Sequence, residues 1–404
     1  MNYVPKSSRI STPTHVPGTF RTGVRRQPIV GAGVAAPMAV SRSVSAVWPR
    51  PHKLLLPPAL SPIERLPKWL LCIPLVLHWM LLAVRHRSLT LPSAANPGIP
   101  TGGLAGEGKL ECLALIPLAL RSWVAPTAAV PPGSVAEAVR QAAGLAFPLV
   151  AKPDRGWCGY GVRRVDDAAA LRDYQAAFPP HATFLLQPYL PGPIEAGLMV
   201  RRWPDGPAEL VGLTLRHLPT VRGDGWRTLA QLTAADPRLC GLPRLGGLPR
   251  LGGLNMPAGH DMARIPGIGE TVVLAAVASL RVGGRYEEAL HLATPALRAQ
   301  VAAVAVGMGL HAGRLDVRAS SVEALRAGRF HIIEVNGAGA EAIGAWDPRL
   351  GLRAAFAAVF ANHRALFALG AAMRARGHRP VGPWRLALSW LHQQRLARGY
   401  PASN

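Results

Sequence analysis

Downstream of residue 110, apolar positions come in short runs separated by longer stretches of helical spacing. Four runs read as strands: Leu149 to Ala151, Thr183 to Leu186, Ala208 to Leu215 and Phe330 to Val335. Helical periodicity predicts helices over 134–143, 166–177, 295–308, 321–327 and 351–374. The mixture predicts an α+β fold. A second strand signal lies in Gly313-Arg314-Leu315-Asp316-Val317-Arg318, where the two-residue period puts Arg314, Asp316 and Arg318 on one face. Glu334 and Asn336 share a face in the same way.

Upstream, the pattern changes. Residues 69–84 form the most apolar run, sixteen residues interrupted by Pro74 and His78. A spanning helix needs about 20 apolar residues. Lys68 precedes the run and Arg85, His86 and Arg87 follow it; Trp69 and Trp79 suit a headgroup level. Three readings stand here: a helix on a membrane surface, a buried core helix, and a true span. The run begins too late for a cleavable signal and has no small-residue cleavage site close behind it. Residues 88–108 are Pro, Gly, Ser and Asn in clusters, the chemistry of a loop.

Residues 1–60 contain no Asp or Glu and show no period. Such a segment buries too little apolar surface to offset its ordering entropy, so it reads as a disordered basic tail. Its Arg- and Ser-rich composition is also that of a transit peptide, and Met38 is an alternative start. A seven-residue unit is repeated at 241–254, GLPRLGG then LPRLGGL. Two copies make a surface insertion, because a solenoid needs at least three. Residues 376–398 are basic and carry Trp384 and Trp390, as a surface helix or an amphipathic cap would.

Composition changes the picture in three ways. Of 404 residues 49% are apolar and 17% charged, so most of the chain can bury a core. The four cysteines, Cys72, Cys112, Cys158 and Cys240, lie far apart, which argues against a disulfide framework or a Cys-based zinc site. The net charge of +23 invites a nucleic-acid reading. However, nearly all of it is Arg, as a GC-rich genome produces without selection for binding. Aromatics, at 6%, are too few for base stacking. A basic surface still draws anionic lipid or nucleotide.

Candidate chemistry falls in three places. Phe147-Pro148-Leu149-Val150-Ala151-Lys152-Pro153 is a strand ending in one Lys, followed by Gly156, Gly159 and Gly161. Glycines let backbone N–H groups approach phosphate oxygens, and the Lys adds a charge for the same oxygens. Leu185-Leu186-Gln187-Pro188-Tyr189-Leu190-Pro191-Gly192 is a strand broken at Pro188, with Glu195 beyond. Its freed backbone groups suit an adenine edge and the carboxylate suits ribose hydroxyls; a strand ending in an ordinary turn is the plainer reading. Asp316, Glu334 and Asn336 offer only oxygens, the set that suits Mg²⁺. Gly103 to Lys109 has the GxxxxGK spacing of a phosphate loop, but Leu110 stands where that motif needs Ser or Thr, and no strand precedes it.

In this order and spacing the motifs resemble the ATP-grasp superfamily, in particular its carboxylate–amine ligases of the D-alanine–D-alanine ligase and cyanophycin-synthetase kind. The resemblance covers about 110–350. It implies an N-terminal lobe over 111–190 and a C-terminal lobe over 191–375 closing on ATP, preceded by the tail 1–60 and the segment 61–110 and followed by the basic end 376–404. It implies that Lys152 and the loop of Gly156, Gly159 and Gly161 meet the phosphates, that Gln187, Pro188, Tyr189 and Leu190 meet adenine, and that Glu195 meets ribose. Arg216 falls where a phosphate-binding Lys is usual. Asp316, Glu334 and Asn336 would hold Mg²⁺ or Mn²⁺, with Arg314 and Lys152 at the reacting centre. Residues 221–229, VRGDGWRTL, look like the family's GDG-x-x-T-L stretch. Residues 278–286, ASLRVGGRY, lack the Asn-His often found there, and the N-terminal substrate domain is poorly represented in 61–127. The implied activity joins a small carboxylate to an amine through an acyl phosphate, releasing ADP and phosphate. It implies a cytoplasmic enzyme, membrane-associated if 69–84 lies on lipid. A degenerate ATP-binding module and a basic nucleic-acid or lipid-surface protein are the alternatives.

Overall fold

The computed structural model describes residues 60–190, 192–240 and 260–403. The tail residues 1–59 with Met38, Pro191 and the whole 241–254 repeat therefore lie outside the described residues. Strands run in the order β1 (Ala128–Val130), β2 (Leu149–Pro153), β3 (Arg163–Val165), β4 (Phe184–Pro188), β5 (Ile194–Arg202), β6 (Ala208–His217), β7 (Thr220–Arg222), β8 (Thr271–Val273), β9 (Arg285–Glu288), β10 (Ala312–Ala319) and β11 (His331–Asn336). They build a four-stranded sheet, β1-β4-β2-β3, a five-stranded sheet, β11-β10-β5-β6-β9, and a β7-β8 ribbon, with antiparallel pairing throughout. The fold is α+β.

The four apolar runs lie in β2, β4, β6 and β11, and the five helical stretches in helices Ala136–Ala142, Ala168–Ala177, Pro295–Gly307, Val322–Arg326 and Leu352–Ala375. Strands of three or four residues, such as β1, β3 and β9, have no pattern of their own and exist through their pairing.

The large sheet buries Leu198, Leu213, Leu315, Val317 and Ile332 against Leu297, Val301 and Val304 of helix Pro295–Gly307. Cys112 and Leu113, from helix Lys109–Ala114, join the same core. Arg314 and Asp316 alternate with Leu315 and Val317 along β10, so this core leaves the polar face of the strand for other partners. The small sheet packs Leu149, Ala151, Phe184 and Leu186 on Leu171, Tyr174 and Phe178. Near the C-terminus, Tyr400 stacks on Phe178 with ring centroids 5.2 Å apart.

The apolar run 69–84 is helix Lys68–Arg85. One side packs on helix Leu352–Ala375: His78 stacks on Phe360 at 4.4 Å, and Trp79 meets Phe367 edge-on at 4.9 Å. The other side is exposed, so the helix is not a fully buried core element. The turn before it is pinned by the buried pair Glu64–Arg238, whose two N···O distances are 2.8 and 3.2 Å.

The loop 88–108 is irregular as its composition predicts, but much of it is buried. Asn96 explains how a polar loop enters the core. Its amide donates to Gly102 O and Ala312 O, and its carbonyl accepts from the N–H groups of His311 and Ala312, all within 2.7–3.0 Å. The turn at Gly102-Gly103 then meets the chain leaving β11: Ala338 N donates to Gly102 O at 3.0 Å and Gly339 N to Gly103 O. A Cβ on Gly103 would sit 2.5 Å from the Gly337 Cα, and its φ is +75°. This close approach, rather than any phosphate-loop role, accounts for the glycines there.

Gly103→Ala is expected to lower stability by about 2–4 kcal/mol, from overpacking plus the left-handed backbone. Gly133→Ala, also at positive φ but facing open space, should cost only about 1 kcal/mol. Urea unfolding of the two variants measures the difference.

Candidate active site

Asp316 is the centre of the site. It lies on β10 between β5 and β11, opposite Gly197 and Glu334, and is 2% exposed. Its Oδ1 accepts from Arg314 Nε at 2.5 Å; its Oδ2 accepts from Arg314 Nη2 and Arg216 Nη1, both at 3.0 Å, and from Asn336 Nδ2 at 3.4 Å. Burial alone would raise the Asp316 carboxyl, but the guanidiniums of Arg314 and Arg216 override it and hold it below the usual range. Burial works against the charge on both arginines too; Glu195 and Asp316 more than restore it on Arg216, and Asp316 does so on Arg314. Arg216 also pairs with Glu195 at 3.1 Å. Gly197 makes this packing possible, because a Cβ there would lie 2.8 Å from Arg314 Cδ.

The small sheet supplies the other half. Lys152, at the end of β2, is buried and donates to Ile333 O on β11 at 2.7 Å. Gln187, on β4, reaches the same carbonyl at 3.3 Å and Thr127 Oγ1 at 2.7 Å. Burial drives the Lys152 ammonium down to about 8; Glu334 opposes the shift and Lys109 adds to it. The two sheets therefore meet at Ile333, beside Glu334.

Two further residues join the site, Lys109 and Glu107, neither assigned a role by the sequence. Lys109 is buried, donates to Gly156 O at 2.9 Å and stands 3.6 Å from Glu334 Oε1, so it ties the glycine loop to the large sheet. Glu107 has a buried Oε2 without a hydrogen-bond partner, and burial raises its carboxyl despite nearby Lys109. The only signal near either was the GxxxxGK spacing, set aside on Leu110, and it carries nothing of their tertiary placement.

The glycine loop is held from above by the stretch that lacks Asn-His. Ser279 Oγ and Arg281 Nε donate to Cys158 O at 3.0 and 3.2 Å, and Arg281 Nη2 donates to Gly159 O at 3.1 Å. Gly161 O accepts from Tyr174 at 2.8 Å. At the end of β4, Pro188 pairs with Leu149, and the Tyr189 N–H donates to Pro148 O at 2.9 Å. The guanidiniums of Arg164 and Arg318 lie 4.6 and 5.1 Å from the centroid of the Tyr189 ring. No polar contact ties Leu190 to the cluster among the described residues. In the stretch 221–229, Asp224 caps a turn through Trp226 N and Arg227 N, and Thr228 caps helix Leu229–Ala235.

Among the described residues no three His, Cys, Asp or Glu side chains gather as a metal cluster. Asp316 and Glu334 are cross-strand neighbours, and the Asn336 amide is the third oxygen source. The donor set suits a hard divalent cation. In this structure the positive charge at Asp316 comes from the two guanidiniums, so a cation and the arginines would compete for the same oxygens.

No protein-family model matches the sequence, and no curated protein matches it. Solved structures resemble part of the chain. A bifunctional glutathione synthetase from Pasteurella multocida is 17% identical, with 65% of this chain and 35% of that one covered and a TM-score of 0.36. The VanG D-Ala:D-Ser ligase from Enterococcus faecalis is 12% identical over 65% of this chain and 61% of its own, with a TM-score of 0.37. A D-alanine–D-alanine ligase from Bacillus anthracis is 14% identical over 69% and 70%, with a TM-score of 0.36. The chain thus spans less than two thirds of the first two. Likenesses at this level are partial.

Asp316→Ala is expected to destabilise the protein by about 3–5 kcal/mol, because it leaves buried guanidinium charge without its partner. Arg216 keeps Glu195, so Arg314 is the orphan. Adding Arg314→Met to Asp316→Ala should recover part of the loss, read by chemical denaturation of the single and double variants.

Proposed function

We propose that the protein is an ATP-dependent carboxylate–amine ligase of the ATP-grasp kind that its motifs resemble, forming an amide and releasing ADP and phosphate. The observation that carries this reading is the junction at Ile333. There a buried Lys from one sheet meets an Asp, Glu and Asn set from another, flanked by two arginines. A group of cations backed by carboxylates suits a polyphosphate and its counter-cation.

In this reading the two sheets belong to lobes over 111–190 and 191–375. Lys152, Arg216 and Arg314 hold the phosphoryl oxygens and neutralise charge as it moves. Phosphoryl transfer is catalysed mainly by such positioning and electrostatics. Asp316, Glu334 and Asn336 would hold Mg²⁺ or Mn²⁺, which supplies further neutralisation when bound. The loop at Gly156, Gly159 and Gly161 covers the phosphates, Gln187 to Leu190 face adenine, and Glu195 the ribose. The substrate carboxylate takes the γ-phosphoryl group; an amine then displaces phosphate from the acyl phosphate. The chain supplies no covalent nucleophile.

A second reading, a nucleotide-binding module without ligase chemistry, is favoured by the saturation of both Asp316 oxygens by donors. Product analysis separates the two. With amino-acid and peptide pairs supplied, the ligase produces ADP, transfers carboxylate ¹⁸O to phosphate, and yields a hydroxamate with hydroxylamine. AMP as product overturns the acyl-phosphate route. Binding of ATP without turnover on any pair supports the module.

Lys152→Met should lower ADP formation by about two orders of magnitude or more, and Glu334→Ala should abolish turnover while the fold survives. In this reading ATP affinity falls as pH rises through the titration of Lys152. The free Lys152 ammonium titrates near 8, and bound phosphate favours the charged form, so binding takes up a proton and weakens above pH 8. Lys152→Arg, charged throughout that range, should flatten the dependence in calorimetric titrations.

A further inference from the structure

From the exposed face of helix Lys68–Arg85, we infer that this helix lies in the plane of an anionic lipid surface and docks the protein there. Every exposed position between Lys68 and Arg85 is apolar. Trp69, Ile73, Leu77, Leu81 and Val84 follow one another at helical spacing, and Leu81 and Val84 are 70% and 75% exposed. A helix that packs one side on a globular protein normally turns a polar side to water. This one has an apolar stripe on its outer side as well, over a length of about 27 Å at 1.5 Å per residue.

Charge selects the occupant. The helix contains no acid, and its ends carry Lys68 and Arg85, with exposed Arg65 and Arg87 just beyond. Arg353 and Arg364 are exposed on helix Leu352–Ala375, against which it packs. A second copy laid antiparallel on the stripe would set these cations against one another with no acid on either helix to pair them. Residues 1–59 are no better matched, because they hold eight Lys or Arg and no acid. Anionic headgroups supply the missing negative charge, and acyl chains accept the stripe. The geometry fits a helix lying on the surface rather than crossing it. Its inner side is committed to protein through Leu71, Leu82 and Ala83, and His78 Nδ1 lies 3.3 Å from His363 Nδ1.

A neighbouring element extends the surface. Thr90 Oγ1 donates to Val381 O at 2.6 Å, which places the start of helix Pro383–Arg398 beside the segment that follows the apolar helix. That second helix exposes Trp384, Leu388 and Leu391, one turn apart, together with Arg385 and Arg395.

The test is sedimentation of the full chain with vesicles of equimolar phosphatidylcholine and phosphatidylserine, and with phosphatidylcholine alone. Binding is expected to the mixed vesicles, to be weaker on the neutral ones, and to fall with added salt. Leu77→Glu with Leu81→Glu, both at exposed positions, should weaken it about tenfold or more at unchanged melting temperature. Lys68→Glu with Arg85→Glu should remove the preference for phosphatidylserine. Wild-type protein that stays in the supernatant, or a Leu77→Glu/Leu81→Glu variant that binds like wild type, overturns the inference. So does a dimer, seen by light scattering, that the same two substitutions dissolve while vesicles bind neither form. ATP affinity is measured alongside, so the outcome is independent of the ligase reading.

Discussion

One buried carboxylate organises the centre of this protein. Asp316 sits in the middle of the five-stranded sheet with both oxygens occupied by guanidinium and amide donors. A carboxylate so placed is tolerable only with compensating charge close by. The compensation comes from three strands: Arg216 on β6, Arg314 on β10 itself, and Asn336 on β11. Glycine at 197 on β5 leaves the room that the Arg314 side chain needs. The constraint therefore reaches every inner strand of the sheet.

The same balance bears on the proposed function. Lys109, Lys152, Arg216 and Arg314 face Glu107, Glu195, Asp316 and Glu334, so the charges are close to matched before anything binds. Lys109, Arg216 and Arg314 are already paired, with Glu334, Glu195 and Asp316, while Lys152 donates to a backbone carbonyl and Glu107 has an unpartnered oxygen. Binding both together exchanges one set of pairs for another without isolating a charge. Under the proposed function, joint binding of a polyphosphate and a divalent cation would therefore be electrostatically easier than binding either alone.

Polar contacts of defined direction connect the two sheets. Lys152 and Gln187 converge on the carbonyl of Ile333, and Lys109 links the glycine loop to Glu334. Such contacts hold position through direction rather than through buried area. The Ser279–Arg281 clasp on Cys158 and Gly159 adds a second tether. A loop held by side chains of another element can be repositioned when those side chains find a different partner.

Much was legible in the sequence. The two-residue period of Arg314, Asp316 and Arg318, and of Glu334 and Asn336, is local, so the strand faces could be read without a structure. The apolar runs in β2, β4, β6 and β11 were equally local signals. What sequence left open was which faces meet. That Asp316 lies opposite Glu334, and that Lys152 comes to Ile333 across 181 positions of chain, depends on strand register and on the packing of two sheets. Lys109 and Glu107 were unreadable for the same reason: their surroundings come from β11 and the glycine loop, which the local GxxxxGK spacing does not show. Helix Lys68–Arg85 was plainly apolar from its residues. Only the tertiary structure decided that one side of it is packed and the other bare, because periodicity shows that a side chain is apolar but not what stands against it.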